Sequence, residues 1–263
     1  MPLYFSFNGI VWKILCDSGS PLVAVELRNY ENREVSFVLI NTKLKEIIWQ
    51  GNNPEESWWT GIEAFNNKII YLHGYRDIQF PEHKGMWALS EKGKVLWVDK
   101  EKAFLHLAGD NLYSYTKEGD TNRFYWLDAA TGKVVKKLDE DEALKNPNSE
   151  KVDNFVNNPA HYKADNQYFS KLAAFTEQYT GLKAVTAIDY LEYKNKIILS
   201  FYTAEQEKLH SHLLLISEDG SKELEELTGT ELSGIGIDTF FVCRDILFFV
   251  KNKKELVLNY LTT

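Results

Sequence analysis

The chain is poor in cysteine, in clustered positive charge and in long apolar runs, and each shortage removes a class of function. Its only cysteines are Cys16 and Cys243. That is too few for a disulfide framework and suits a reducing compartment, where buried thiols behave as small apolar residues. The strand reading below puts both on inner strands of the first and last repeats, so a bridge is geometrically conceivable, but a reducing cytosol opposes it. The net charge is −8 and the pI about 5.4. The most basic stretch, Lys251 to Lys254, reads as a hairpin turn. Nucleic acid is therefore not an expected partner, because phosphate binding needs clustered Lys and Arg. No window approaches the ~20 apolar residues of a membrane span, and the start, MPLYFSFNGIVWKILCDSGS, lacks the cationic segment of an export signal. A cytoplasmic protein without membrane association is expected. Also missing are a Gly-rich phosphate loop, a nucleophile elbow, an H-E-x-x-H string and a Walker string.

What the chain does contain is repetition. An apolar strand, a polar turn, a second strand and a run through a Gly-Lys or Asp-Gly turn into another apolar stretch recur along it. The clearest copies are Gly85 to Trp97, Phe124 to Leu138 and His212 to Leu227. Four short strands cannot bury their own faces, so such units must stack on one another. With 44% hydrophobic and 14% aromatic residues, the chain can bury a substantial core as one domain over residues 1–263.

Aligning the first turn of each unit makes Ser20-Pro21, Asn67-Lys68, Asp110-Asn111, Asn195-Lys196 and Asp245-Ile246 equivalent. Runs such as LVAVEL, IIYLHGY, IILSFYT and ILFFV follow these points, and their β-branched and aromatic content is that of strands. Third and fourth strands follow in four units, with Gly93, Gly132 and Gly220 supplying the turns. The fifth unit has three strands, and the spare strand Leu3 to Phe7 can complete it, removing an exposed edge. The fold expected is all-β: a five-bladed β-propeller of four-stranded blades, with six or more blades as the alternative.

The interval between the third and fourth turns is about twice the usual one and contains residues 139–183. This segment shows no clear strand pairs, and it reads as an α-helical insertion. Tyr168, Leu172, Phe175 and Tyr179 recur at helical spacing, Asp165 or Asn166 can cap the start, and Gly181 lies beyond the end. Long insertions are usually functional or disordered.

The strings LDAATGKVV (Leu127 to Val135) and WALSEKGKVLW (Trp87 to Trp97) resemble the blade repeat of pyrroloquinoline-quinone-type propellers. Two further copies, Phe37 to Trp49 and His212 to Leu227, resemble it loosely. The resemblance implies a propeller; such repeats serve both quinoprotein dehydrogenases and non-catalytic scaffolds, so it does not specify activity. Those dehydrogenases are exported, carry adjacent cysteines and use acidic calcium ligands. This chain has no adjacent cysteine pair, and no cofactor is expected. Trp97 fits the repeat's terminal tryptophan, but the next copy has Lys136 there.

Candidate chemistry lies first on the innermost strands, to which Glu63, His106, Asp189 and Asp238 are assigned. Glycosidases pair carboxylates of separated pKa. Glu63, Asp189 and Asp238 can be placed in those roles with His106 as modulator, although any β-ring offers similar polar groups. His210 and His212 share a strand face, yet without further ligands they read as a solvated edge. His73, His83 and His161 read as isolated surface or loop residues. The acidic run Asp139 to Glu142 lacks the spacing of a calcium loop, and Trp58-Trp59 can stack on a sugar, dock a protein or fill the core. The function expected is therefore a non-catalytic binding or scaffold module that docks a protein partner or small ligand at one propeller rim through Trp58, Asp141, Tyr162 and Tyr168. A glycan-acting hydrolase is the competing class.

Overall fold

The computed structural model describes residues 1–77, 80–145 and 155–261. Strand β1 spans Leu3–Ser6. The first meander is β2 (Ile10–Cys16), β3 (Leu22–Asn29), β4 (Glu34–Asn41) and β5 (Glu46–Gly51); the second is β6 (Thr60–Asn66), β7 (Ile69–Asp77), β8 (Phe80–Ser90) and β9 (Val95–Asp99). The third is β10 (Ala103–Ala108), β11 (Asn111–Glu118), β12 (Thr121–Asp128) and β13 (Val134–Leu138). Then come α1 (Glu140–Leu144), β14 (Val156–Asn157), β15 (Ala160–Lys163) and α2 (Phe169–Thr180). The fourth meander is β16 (Val185–Tyr193), β17 (Lys196–Glu205), β18 (Lys208–Ser217) and β19 (Lys222–Leu232), and β20 (Phe240–Cys243), β21 (Ile246–Lys251) and β22 (Glu255–Tyr260) follow.

The described strands form five antiparallel sheets, each built on a meander of consecutive strands. This is the strand complement of a five-bladed β-propeller, the all-β fold class the repeats imply. The last sheet is completed by β1, which pairs with β22 from Leu3↔Leu258 to Ser6↔Glu255. Two compact units divide the chain, one of residues 9–153 with the first three sheets, the other of residues 1–8 and 154–263 with the last two.

In the three-sheet unit, β3 and β4 are apolar on both faces because both are covered, and Ala24, Val25, Phe37 and Leu39 are fully buried. The first and second sheets meet across Leu22, Leu39, Ile62, Ile70, Leu72 and Leu89. The second and third meet across Tyr71, Met86, Leu112 and Leu127. A tryptophan from each of β5 and β9 then docks on a turn of the next sheet. Gly93 (φ +71°) lies against Trp49, and a Cβ there would be 2.0 Å from the indole; Gly132 (φ +69°) lies the same way against Trp97 at 2.6 Å. These turns need glycine twice over, for the positive φ and for the ring.

At the first-turn end the sheets are laced by polar side chains. Buried Asp17 accepts from the backbone N–H of Asn67 (2.9 Å) and Lys68 (3.1 Å) and from the Ser20 hydroxyl. Asn67 passes the connection on, its Nδ2 donating to Asp110 Oδ1 at 2.7 Å. The two-sheet unit repeats the device, with Tyr193 and Lys194 both bonded to Asp245.

The insertion differs from its expected form. It holds the helix, capped at its end by Gly181 (φ 72°), but its N-cap is Tyr168 with no side-chain cap. Asn166 instead accepts from the Tyr168 N–H at 2.9 Å. Leu172, Phe175 and Tyr179 pack against the fourth sheet. Two strands that the sequence hides also lie here: β15 pairs with β16 and β14 with β20, each adding a fifth strand at the first-strand edge of its sheet. They are too short for alternation to reveal them. Neither cysteine is in a disulfide among the described residues, and no described helix is long and apolar enough to cross a membrane.

Candidate functional site

The first strands of four sheets carry a bulge, three or four ladder pairs from the first turn in β2, β6 and β10 and six pairs from it in β16. In β2 the extra residue is Trp12, in β6 Glu63, in β10 Leu105, and in β16 Thr186 with Ala187. A bulge re-aims the side chain it carries. In the second sheet it turns Glu63 toward two histidines from the neighbouring hairpin.

That hairpin is irregular. His73 pairs with Met86 and Tyr75 with His83, so β8 carries one residue more than β7 between these pairs. Gly85 takes a φ of +91° there, and a Cβ on Gly74 would come within 2.9 Å of the Lys84 carbonyl oxygen. The distortion stacks the His73 and His83 rings face to face, with centroids 3.7 Å apart and planes 8° from parallel. Tyr75 meets both edge-on at 5.1 Å. Opposite His73 in β6 is Gly61, whose missing Cβ leaves room for the ring: an added one would lie 2.8 Å from His73 Cε1.

Both imidazoles address one oxygen. Glu63 Oε1 lies 3.0 Å from His73 Nδ1 and 2.7 Å from His83 Nδ1. Burial opposes the charge on Glu63, but the close approach and positive potential of the two histidines outweigh it and bring its pKa down to about 2. Burial pushes the His73 pKa down, against the pull of Glu63. Neither His73 nitrogen has a well-aligned hydrogen-bond partner among the described residues; the 3.0 Å approach of Nδ1 to Glu63 is close but misdirected. The side chains are 9% (His73), 18% (Glu63) and 32% (His83) exposed, so the cluster opens to solvent on the His83 side.

Aromatic and ionic groups flank it. Glu26, 1% exposed, holds Arg28 at 2.7 Å and accepts from the Ile62 N–H at 2.8 Å. The Arg28 guanidinium lies 5.3 Å from the Trp12 ring and 5.5 Å from that of Trp58, a cation between two π faces. Tyr30 stands edge-on to Trp58, and Trp59 edge-on to Tyr75. Trp12, Tyr30 and Trp59 are exposed.

The other sequence candidates are placed as follows. His73, His83 and His161, read as isolated, are all partnered. His161 lies on β15 with Nδ1 2.5 Å from Asp189 Oδ1, and its Nε2 is buried without a partner among the described residues. Asp189 is buried and also accepts from the Thr239 hydroxyl at 2.6 Å and the Thr239 N–H at 3.2 Å. Asp238 is not on a strand: it is an exposed loop residue with φ 52°, two residues before β20. His106 stacks on Tyr113 at 4.3 Å, and burial lowers its pKa. His210 and His212 lie not on an edge but on β18, between β17 and β19; His212 stacks on Phe201 and meets Thr203 Oγ1 at 3.0 Å.

Of the expected binding residues, Trp58 is half-buried against the core while its neighbour Trp59 is exposed. Tyr162 and exposed Tyr168 stand edge-on, 6.2 Å between centroids. Asp141 is exposed in the first turn of α1, whose N-cap Asp139 accepts from the Glu142 N–H at 2.7 Å. The acidic run there complements a helix start. The one sequence signal for the Glu63–His73–His83 grouping is the pairing of IIYLHGY with the segment before Met86, which brings His83 to the strand beside His73; the extra residues that complete the grouping leave no such signal.

A family described as "Domain of unknown function (DUF4905)" matches residues 16–97. No curated protein matches the chain. Among solved structures, the chain is similar to a DUF4221-family member from Bacteroides vulgatus, with 10% identity, 98% of this chain and 95% of that one covered and a TM-score of 0.36. The β-propeller domain of the Trilobed protease from Pyrococcus furiosus gives 12% identity, 94% and 65% coverage and a TM-score of 0.35. The acylaminoacyl peptidase of Pyrococcus horikoshii gives 10% identity, 93% and 36% coverage and a TM-score of 0.34, so the chain spans about a third of that enzyme's length. These likenesses carry no activity to the chain, and the fold description above rests on its own strand pairings.

Proposed function

We propose that the chain is a non-catalytic binding module that docks a small ligand or a protein partner at one rim, and that the docking end is the one carrying Trp12, Arg28, Trp59 and the Glu63–His73–His83 cluster. The observation that carries this reading is the gathering of exposed aromatic rings beside a stacked imidazole pair whose buried member, His73, has hydrogen-bonding capacity left over. Exposed aromatics scattered singly need no explanation. Here they stand beside polar groups whose hydrogen-bonding capacity is left over, the composition of a recognition site. Tyr162 and Tyr168 form a second aromatic corner suited to contact. The quinoprotein-type reading of the repeat is supported by the two tryptophans docked on turn glycines, Trp49 on Gly93 and Trp97 on Gly132.

The test is a panel of immobilised glycans and peptides probed with wild type and a Trp12→Ala/Trp59→Ala variant. Ligands that bind wild type and lose at least about tenfold in the variant support the reading, as stacked aromatics contribute ~1 kcal/mol or more at a contact. Hits unaffected by the change exclude this end.

One observation favours the competing hydrolase reading. Asp189, held by Thr239, orients His161 in the manner of a carboxylate that fixes a catalytic imidazole. Glu63, ionised down to a pKa of about 2, suits a base or ligand and not an acid. Turnover of a glycoside panel by wild type that Glu63→Ala and Asp189→Ala abolish would establish an enzyme.

A further inference from the structure

We propose that Glu63, His73 and His83 bind a first-row divalent cation of the zinc class through Glu63 Oε1 and the two Nδ1 atoms. The inference rests on the reading above for the site's place in docking, but the ion itself is argued from the cluster alone.

The donors lie within 4.8 Å of one another. A tetrahedral zinc with bonds of about 2.1 Å spaces its ligand atoms by about 3.4 Å. Glu63 Oε1 stands 3.0 and 2.7 Å from the two nitrogens and the rings are stacked nearly parallel at 3.7 Å, so binding requires the carboxylate to draw back and the rings to tilt until both Nδ1 lone pairs converge on the ion. The donor set selects the metal: two imidazoles and one carboxylate suit zinc and its neighbours, whereas calcium and magnesium take oxygen. Three protein ligands leave a fourth position for water or a ligand group.

The decisive feature is His73. With its proton on Nδ1, Nε2 is a bare acceptor buried without a partner. Near that edge lies a carboxylate: a Cβ on Gly61 would be 3.1 Å from His73 Nε2 and 3.2 Å from Glu26 Oε2. With the proton on Nε2, the Nδ1 lone pair faces the Glu63 carboxylate at 3.0 Å. Protonating both puts a charge in a ring that is 9% exposed and stacked on a second imidazole. A cation on Nδ1 removes the conflict: it takes the lone pair, neutralises Glu63, and leaves the proton on Nε2, the side of the ring on which Gly61 separates it from the Glu26 carboxylate.

Full-length protein stripped with a chelator is titrated with zinc, and separately with cobalt(II) for its visible absorption. Wild type is expected to take up one zinc per chain, to show the cobalt bands and to melt at a higher temperature with zinc. Glu63→Gln and His83→Ala each weaken zinc binding by at least about tenfold, while Lys92→Ala, at an exposed turn away from the cluster, leaves it unchanged. Should Glu63→Gln fail to fold, His83, the most exposed of the three, supplies the deciding variant. The proposal is overturned if wild type binds no stoichiometric zinc, or if His83→Ala binds it as tightly as wild type. Zinc uptake without any panel ligand defeats only the docking reading, and a panel ligand bound without zinc uptake defeats only the metal.

Discussion

The two ends of the three-sheet unit use the same kind of residue for opposite purposes. At the first-turn end, Asp17 and Asn67 reach from one sheet to the next, and Asp17 is fully occupied by donors. At the other end, His73 is also buried but has a nitrogen without a partner among the described residues, and aromatic rings stand in solvent around it. Satisfied buried polar groups stabilise a structure, whereas unsatisfied ones subtract from stability and mark places held for something else. The comparison therefore separates cohesion from recognition inside one unit.

The largest effect in breaking that contrast is expected at the cohesive end. Asp17→Ala orphans the Asn67 and Lys68 N–H groups and should cost about 3 kcal/mol of unfolding free energy, read from urea denaturation. A paired substitution sharpens the packing argument. Gly93→Ala drives a methyl into Trp49 and should cost at least ~2 kcal/mol, whereas Gly119→Ala, also at positive φ but with nothing within 4 Å, should cost only about 1 kcal/mol of backbone strain. At the recognition end, His83→Ala should alter metal-free stability by less than about 1 kcal/mol while removing the melting shift caused by zinc. Trp59→Ala should leave stability within about 0.5 kcal/mol.

The smallest effect is electrostatic. The Asp99 pKa is depressed because the hydrogen bonds from the Lys102 side chain and the backbone N–H groups of Lys102 and Glu101 outweigh burial. A depressed folded pKa means that this contribution is present above the unfolded Asp value and disappears as pH falls through the folded one. Asp99→Asn should therefore flatten the acid side of a stability–pH curve while leaving the basic side's slope unchanged.

The sheets were legible because their signals are local. Period-two alternation, the turns at Asn67-Lys68 and Asp219-Gly220 and the spare opening strand each follow from a few neighbouring residues. The site was not, because it depends on departures from alternation. One extra residue in β6 reverses the direction of Glu63, and another in β8 brings His83 level with Tyr75; neither insertion changes the composition of its strand. Asp238 illustrates the converse, since the run before Phe240 has strand-like composition but ends in a positive-φ loop residue. His161 escaped because its partner Asp189 is reached only through β15, a four-residue strand.

The bulge makes the first strand of the first three sheets an interchangeable socket. Tryptophan, glutamate and leucine fill it in turn, although the surrounding ladder is the same. Chemistry can thus be rewritten at one such position without disturbing the scaffold's repeat. A glutamate grafted at Leu105, next to His106, is the natural first trial of that modularity.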